Sequence, residues 1–145
     1  MLASLAPWLT VADGHRALAF YRSAFGAEVV YRHDGDDGSL IVRLAVDGAE
    51  WWVSGGAAGA GDATGAAGAA PGSGPAAGSA ETASPPGGDS VRMILTVADP
   101  DAMFARALGA GATEVFPVGE GHGWRLGRLV DPFGLHWEVG RPLEG

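Results

Sequence analysis

The sequence predicts an α+β fold made of two βαβββ modules, and three observations lead to that prediction. The chain has 145 residues, of which 47% are hydrophobic, a size near the mode for one compact domain. Residues 9–13, Leu-Thr-Val-Ala-Asp, recur letter for letter at 95–99, and a segment at 55–88 lies between the copies. Because repeated units that each leave an apolar face uncovered pair or stack, we expect one domain, residues 1–145, with duplicated halves.

The first module, residues 4–54, is predicted to fold as a strand, a helix and three further strands. Its predicted elements are a strand at 5–11, a helix at 14–25, and strands at 27–33, 39–46 and 49–54. Asp13 is a suitable N-cap for the helix, and Gly26 is a suitable residue to end it. Turn-forming residues at 34–38 and 47–48 separate the last three strands, which completes a βαβββ unit.

The second module, residues 89–141, repeats that order of elements. Its predicted elements are a strand at 91–97, a helix at 101–108, and strands at 114–118, 125–130 and 135–140. The Gly-Ala segment that ends the first helix recurs at 111–112, and the tryptophans of the last strands, Trp51 and Trp137, also correspond. Agreement along the whole length indicates a true duplication rather than a chance match of five residues.

The segment at 55–88 is predicted to be a flexible linker. Its 34 residues include 12 Ala, 11 Gly and 4 Pro, with no aromatic residue and no Leu, Ile or Val. Such a composition cannot bury enough apolar surface to offset the entropy cost of ordering the backbone. A Gly-rich chain of that length has an r.m.s. span of roughly 30 Å, enough to reach across a small domain.

The charge balance excludes several classes of protein. The chain has nine basic residues, all of them arginine, and 17 Asp and Glu residues, which gives a net charge of -8. A nucleic-acid binder that neutralises phosphates would need the opposite sign.

No apolar run approaches the roughly 18 residues of a membrane span, and the first residues lack the pattern of a signal peptide. We therefore expect a cytoplasmic protein that binds neither nucleic acid nor membranes. The chain also has no cysteine to act as a nucleophile and no lysine to form a Schiff base.

Several motifs occur in a specific order outside the linker. They are PWLTV at 7–11, AFY at 19–21, AFGA at 24–27 and GRLVDPFGLHW at 127–137. Together with the repeat, they make the sequence resemble the vicinal oxygen chelate superfamily, which includes glyoxalases, bleomycin-resistance proteins and extradiol dioxygenases. It is most similar to the PhnB-like branch. The resemblance implies two modules about a pseudo-twofold axis, with curved mixed sheets around a shared groove that holds a ligand and often a metal.

Strand alternation predicts which side chains face the helices and which face the opposite side. Apolar side chains predicted to pack on the helices are Pro7, Leu9, Val11, Trp51, Val53, Leu95, Val97, Trp137 and Val139. The opposite face is predicted to carry Ala6, Trp8, Thr10, Glu50, Trp52, Ser54, Arg92, Ile94, Thr96, His136 and Glu138. A mixed polar and aromatic face is what a small-molecule pocket needs.

The candidate ligand-binding residues come from that second face and from the arginines at equivalent repeat positions. They are Trp8, Thr10, Arg43, Trp52, Arg92, Thr96, Arg128, His136 and Glu138. Trp8 and Trp52 could stack on a planar apolar ligand, or they could be ordinary core or dimer contacts. Arg92 and Glu138 could form a structural charge pair, or they could receive opposite ends of a polar ligand.

Four positions decide whether the sequence predicts a metal site. The resemblance implies that metal-bearing relatives would place their ligands at Ala6, Trp52, Arg92 and Glu138, and only Glu138 is a ligand. Arginine repels a cation, so no metal cofactor is expected. The alternative is a divalent ion (Zn, Ni, Fe, Mn or Mg) held by Glu138 and His136, with His122 as a further ligand.

Three functions remain open from the sequence. The first is a metal-independent protein that binds a small organic molecule, as in drug sequestration or resistance. The second is a divalent-metal-dependent lyase, isomerase or dioxygenase of the glyoxalase type with Glu138 as ligand and base. The third is a metal-free enzyme with Glu138 as general base. A homodimer is expected, and the long linker permits modules to pair within one chain or between two.

Overall fold

The computed structural model describes residues 2–59 and 91–144, which belong to two compact units on either side of the gap. Residues 60–90, which contain most of the predicted linker, lie outside the described residues. Within the described residues, each unit contains one helix and one mixed four-stranded sheet, so the α+β class and the two βαβββ modules are confirmed. Neither of the helices in the described ranges is long and apolar enough to cross a membrane.

The first module folds around a helix with well-defined ends. It contains β1 (Trp8–Asp13), α1 (Gly14–Phe25), β2 (Glu28–Asp34), β3 (Leu40–Val46) and β4 (Ala49–Gly56). Asp13 caps the helix by accepting a 2.9 Å hydrogen bond from the Arg16 backbone N–H, and Gly26 ends it with a left-handed φ of 68°. The sheet order is β1-β4-β3-β2, in which only the β1–β4 pair is parallel.

The second module repeats this topology. It contains β5 (Arg92–Thr96), α2 (Pro100–Ala110), β6 (Thr113–Gly121), β7 (Trp124–Val130) and β8 (His136–Pro142). The sheet order is β5-β8-β7-β6, with β5 and β8 parallel. Asp99 caps α2 by accepting a 3.1 Å hydrogen bond from the Ala102 N–H. The helix is longer than the predicted 101–108 at both ends. It can begin at Pro100 because the first turn of a helix does not need the N–H that proline lacks.

Each sheet buries the face that packs on its helix. The buried side chains on the strands include Leu9, Leu44, Trp51, Val53, Leu95, Leu129, Trp137 and Val139. Most of them alternate with exposed or half-buried neighbours, as the sequence predicts, although Ala45 after Leu44 and Gly140 after Val139 are also buried. The expectation for Pro7 was wrong, because this exposed residue precedes β1 and only its carbonyl joins the sheet, by accepting a 2.9 Å hydrogen bond from Trp52 N–H.

The end of β4 differs from the sequence prediction. Gly55 and Gly56, assigned to the linker from composition, are the last residues of β4. The reason is a close approach to the start of α1, because a Cβ on Gly55 would lie only 2.6 Å from Gly14 Cα. Glycine at this position therefore serves helix–strand packing rather than flexibility.

Candidate functional site

Four side chains form a row across the face of the first sheet that points away from α1. The strand register aligns Trp8, Trp52, Arg43 and Tyr31 on β1, β4, β3 and β2, respectively. The rings of Trp8 and Trp52 are stacked, with centroids 5.4 Å apart and planes 13° apart. Tyr31 tilts against Trp52 at 5.5 Å, and Arg43 Cζ lies 5.4 Å from the centroid of the Trp52 ring. We refer to these four residues as the aromatic row.

Polar contacts hold the aromatic row in place. The indole N–H of Trp8 donates a 2.8 Å hydrogen bond to Ser54 Oγ. Arg43 Nε lies 3.1 Å from Glu50 Oε1, but its buried N–H is not directed at the carboxylate, so this contact is an ion pair rather than a hydrogen bond. Trp8 remains 52% exposed. The row therefore presents an oriented aromatic ring whose outer surface is open to a ligand.

The second sheet has an equivalent row of different chemistry. Its register aligns Ile94, Glu138, Arg128 and Phe116 on β5, β8, β7 and β6, respectively. Glu138 Oε2 lies 2.9 Å from Arg92 Nε, and the Glu138 side chain is only 14% exposed. We refer to the four aligned residues as the charged row. Arginine and an edge aromatic residue occur in both rows, whereas Trp8 and Trp52 are replaced by Ile94 and Glu138.

The two row arginines have different partners. Arg43 pairs with Glu50, and Arg128 Nε donates a 3.1 Å hydrogen bond to Nδ1 of His136, the residue that takes the place of Glu50 in the repeat. Because Nδ1 of His136 accepts this bond, the neutral imidazole carries its proton on Nε2. The arginine partner is therefore an imidazole in the second module where it is a carboxylate in the first.

A family model described as a glyoxalase-like domain matches residues 8–140, which cover nearly all of both modules and include both rows. The chain belongs to the glyoxalase-like domain family. An uncharacterized protein of Mycobacterium bovis is 37% identical over 143 residues, covering 97% of this chain and 84% of the relative. Solved structures described as glyoxalase/bleomycin resistance/dioxygenase proteins from Burkholderia phytofirmans PsJN and Frankia sp. EAN1pec share the fold, at 15% and 16% identity with TM-scores of 0.62 and 0.65.

Two solved structures of the same fold are also similar to this glyoxalase-like chain. TioX from Micromonospora sp. ML1 is 25% identical with a TM-score of 0.64, and the match covers 98% of this chain and 100% of that protein. TnmS3 from Streptomyces sp. CB03234, described as an antibiotic binding protein, is 21% identical with a TM-score of 0.57 over 98% of each chain. The second likeness shows the fold alone.

The residues at the metal positions of this glyoxalase-like domain do not fit a divalent cation. Trp52 and Ala6 have no metal-binding atom in their side chains, and the Arg92 guanidinium is in contact with the one carboxylate, Glu138. Within residues 2–59 and 91–144, no three His, Cys, Asp or Glu side chains are grouped as a metal site. His136, Glu138 and His122, the ligands of the alternative, are therefore not grouped as a metal site in the described part of the chain.

The structure brings most of the predicted site residues together within each module. Trp8, Arg43 and Trp52 meet in the aromatic row, and Arg128 and Glu138 in the charged row. Arg92 and His136 are also paired side by side across β5 and β8. Two threonines lie beyond the rows: Thr10 is exposed opposite Ser54, and Thr96 is exposed opposite Gly140. Their role in binding a ligand stays a prediction.

Tyr31 and Phe116 belong to the rows and were missed by the sequence reasoning. Simple alternation places Tyr31 on the same face as Ala27, which is buried. A β-bulge between Val29 and Tyr31 shifts the register by one residue and turns Tyr31 to the other face, and the equivalent bulge in β6 lies just before Phe116. The sequence signal that could have identified both residues is that each is an aromatic residue directly after a valine, at the same place in its module.

Proposed function

We propose that this protein binds a small organic molecule without a metal and without covalent chemistry, as drug-sequestration or resistance proteins do. The observation that carries the proposal is the aromatic row. The family supports many chemistries on one frame, so function has to be argued from these side chains rather than from the fold. A face with stacked aromatic rings and a few polar groups binds planar organic molecules and supplies no obvious nucleophile.

The geometry of the aromatic row favours a planar ligand. The rings of Trp8 and Trp52 are stacked and nearly parallel, and Arg43 beside Trp52 adds a cation near the ring. A planar ligand stacked on the open side of Trp8 would extend this array, and each such aromatic pair contributes about 0.5–1.5 kcal/mol beyond the area it buries. Because the Trp8 N–H is already bonded to Ser54, the ring is held ready for the ligand.

The charged row supports binding without catalysis. A metal enzyme would need the lone pairs of Glu138, and these face the Arg92 guanidinium at 2.9 Å. The pair can instead receive a polar group of the ligand or simply stabilise the sheet. A solved structure described as an antibiotic binding protein shares the fold and is consistent with the binding role. Membership of the PhnB-like branch, a cytoplasmic location and a homodimer are further parts of this proposal.

The ligand-binding proposal is tested with Trp52→Ala and a planar probe, acridine. By calorimetry, Trp52→Ala should weaken binding about tenfold or more, since it removes the central ring of the row. Leu5→Ala is the matched control, because Leu5 is a fully exposed apolar residue outside the row. Failure of the wild-type protein to bind acridine, or equal affinities for wild type and Trp52→Ala, would contradict the proposal.

The metal-free proposal has its own measurement. Protein purified without added chelator is analysed for Zn, Ni, Fe, Mn and Mg, and we expect far less than one equivalent of any of them. A stoichiometric divalent metal that disappears in Glu138→Gln would reverse the proposal in favour of a glyoxalase-type enzyme.

A further inference from the structure

A cavity of about 320 Å³ lies in the β6–β7 hairpin of the second module, beyond the charged row. Its apolar lining includes Phe116, Trp124 and Leu126. The volume is at the lower end of the range, about 300–1,000 Å³, in which proteins bind small organic molecules. None of the candidate ligand-binding residues predicted from the sequence lines it.

The cavity opens on the face of the sheet that points away from α2. Gly127 faces the helix, because a Cβ there would lie 2.8 Å from the Phe104 ring. Its neighbours Leu126 and Arg128 therefore point to the opposite side. Phe116 pairs with Arg128 across the β6–β7 ladder and shares that side. The cavity and the charged row are thus adjacent on one surface.

Two strand glycines leave the cavity open. Gly119 pairs with Leu126 and Gly121 with Trp124, and a Cβ on either glycine would meet no atom within 4 Å. Neither glycine has a positive φ, so the backbone does not require glycine at these positions. Glycine inside a strand weakens the strand and often marks a place where a ligand approaches closely. The missing side chains therefore leave room for a ligand against the strand.

The first module has no equivalent of this cavity-lining set. The residue aligned with Gly119 is His33, which pairs with Ile41. The residue aligned with Trp124 is Ser39, whose hydroxyl donates a 2.6 Å hydrogen bond to Asp37. The apolar lining is thus specific to the second module and is not a general product of the hairpin.

The charges beside the cavity are already paired. Glu120 Oε2 lies 3.6 Å from Arg125 Nη1, and Arg125 also donates a 2.6 Å hydrogen bond to Asp101. Arg128 donates to His136. An uncharged ligand would not have to compete with these pairs, whereas an ion would. His122 lines the cavity and in its neutral form offers one donor and one acceptor to a polar group of the ligand.

We propose that this cavity binds an uncharged aromatic molecule of one or two fused rings that carries a hydroxyl group. The ring contacts Phe116, Trp124 and Leu126, and the hydroxyl contacts His122. The site goes beyond the proposed function because it lies within the second module alone. Trp52→Ala, which tests the aromatic row, should leave it unchanged, so the two proposals fail separately.

The test uses three probes that share one naphthalene ring system and differ in charge, naphthol, naphthoate and naphthylmethylamine, with wild type and Gly119→Phe. Naphthol should bind tightest and should shift the backbone amide NMR signals of Gly119 and Gly121. Gly119→Phe fills the cavity and should weaken naphthol binding about tenfold or more, comparable to the loss of one aromatic contact. His33→Phe, which introduces phenylalanine at the equivalent position of the first module, is the matched control and should bind as wild type does.

Trp124→Leu provides a second variant, which keeps the lining apolar and should weaken naphthol binding even if Gly119→Phe fails to fold. His122→Ala should weaken naphthol more than naphthalene, because only naphthol has a hydroxyl. The proposal is overturned if wild type binds none of the probes, if naphthoate or naphthylmethylamine binds tightest, or if Trp124→Leu and a folded Gly119→Phe both bind naphthol as wild type does.

Discussion

The aromatic row and the charged row occupy the same register positions in two copies of one module, yet only the arginine is identical and only the edge aromatic residue is similar. Several positions facing the helices are identical in the two modules, as Leu44 with Leu129 and Trp51 with Trp137 show, although the buried Val42 corresponds to Gly127. Substitution there disturbs a packed interior, whereas substitution on the opposite face does not. After duplication, the face away from the helix was therefore free to acquire different chemistry in each half.

Substitution of the buried leucines at equivalent positions of the two sheets is expected to have the largest effect on stability. Leu44 and Leu129 are fully buried at the same position of the two sheets. Leu44→Ala and Leu129→Ala should each lower the free energy of unfolding by about 2–5 kcal/mol, the loss typical of a buried leucine. Denaturant titration measures both. Similar losses would support equal roles in the two modules, while a loss below 1 kcal/mol in either variant would break the equivalence.

The turns before β4 and β8 predict the next largest difference. The buried Asp131 carboxylate accepts hydrogen bonds from the backbone N–H groups of Phe133 and Leu135 and from the Trp137 indole. Asp131→Asn places an amide among these donors and should cost about 2 kcal/mol. Asp47→Asn, in the exposed turn of the first module, should change stability by less than about 0.5 kcal/mol. Equal changes in the thermal midpoint for Asp131→Asn and Asp47→Asn would contradict this interpretation.

The N-caps of the two helices are expected to differ less than the turns do in their contribution to stability. Burial raises the pKa of Asp13, but hydrogen bonds from backbone N–H groups of Arg16 and Gly59 outweigh it and hold the pKa below its ordinary value. Asp99 is exposed and accepts one hydrogen bond from Ala102. Asp13→Ala should therefore cost about 1–2 kcal/mol at neutral pH, and Asp99→Ala somewhat less.

The pH dependence of the Asp13 cap follows from the sign of that pKa shift. A carboxyl with a depressed folded pKa stabilises the protein above its unfolded pKa, about 3.9, and loses that contribution as the pH falls through the folded value. The difference in thermal midpoint between wild type and Asp13→Ala should therefore shrink in strongly acidic solution. A difference that stays constant from neutral to acidic pH would refute the assignment.

The Arg92–Glu138 pair predicts the smallest change in stability. Arg92 is 40% exposed, so solvent screens the attraction, and Arg92→Ala should cost less than about 1 kcal/mol. Affinity for acridine separates the two interpretations of the pair. Reduced affinity in both Arg92→Ala and Glu138→Gln would assign the pair to the ligand site, whereas unchanged affinity with altered stability would make it structural.

Much of the fold could be predicted because its signals are local. Helix α1 has the predicted bounds, since Asp13 and Gly26 act on backbone groups within a few residues. The buried faces followed from alternation in β1, β4 and β8. Tyr31 could not be placed, because a bulge changes its face without any change in composition. Gly55 was assigned to the linker because composition alone does not reveal its contact with Gly14.

The sequence by itself determined the duplication, the order of elements and the residues that face the helices, because these depend on periodicity and on capping within each segment. Only the tertiary structure decided which side chains from separate strands meet. Trp8, Trp52, Arg43 and Tyr31 come from four strands, and their alignment depends on pairing register, which is a property of neighbouring strands and not of any one of them. The cavity beside Gly119 and Gly121 has the same origin, since open space exists only once the hairpin has formed.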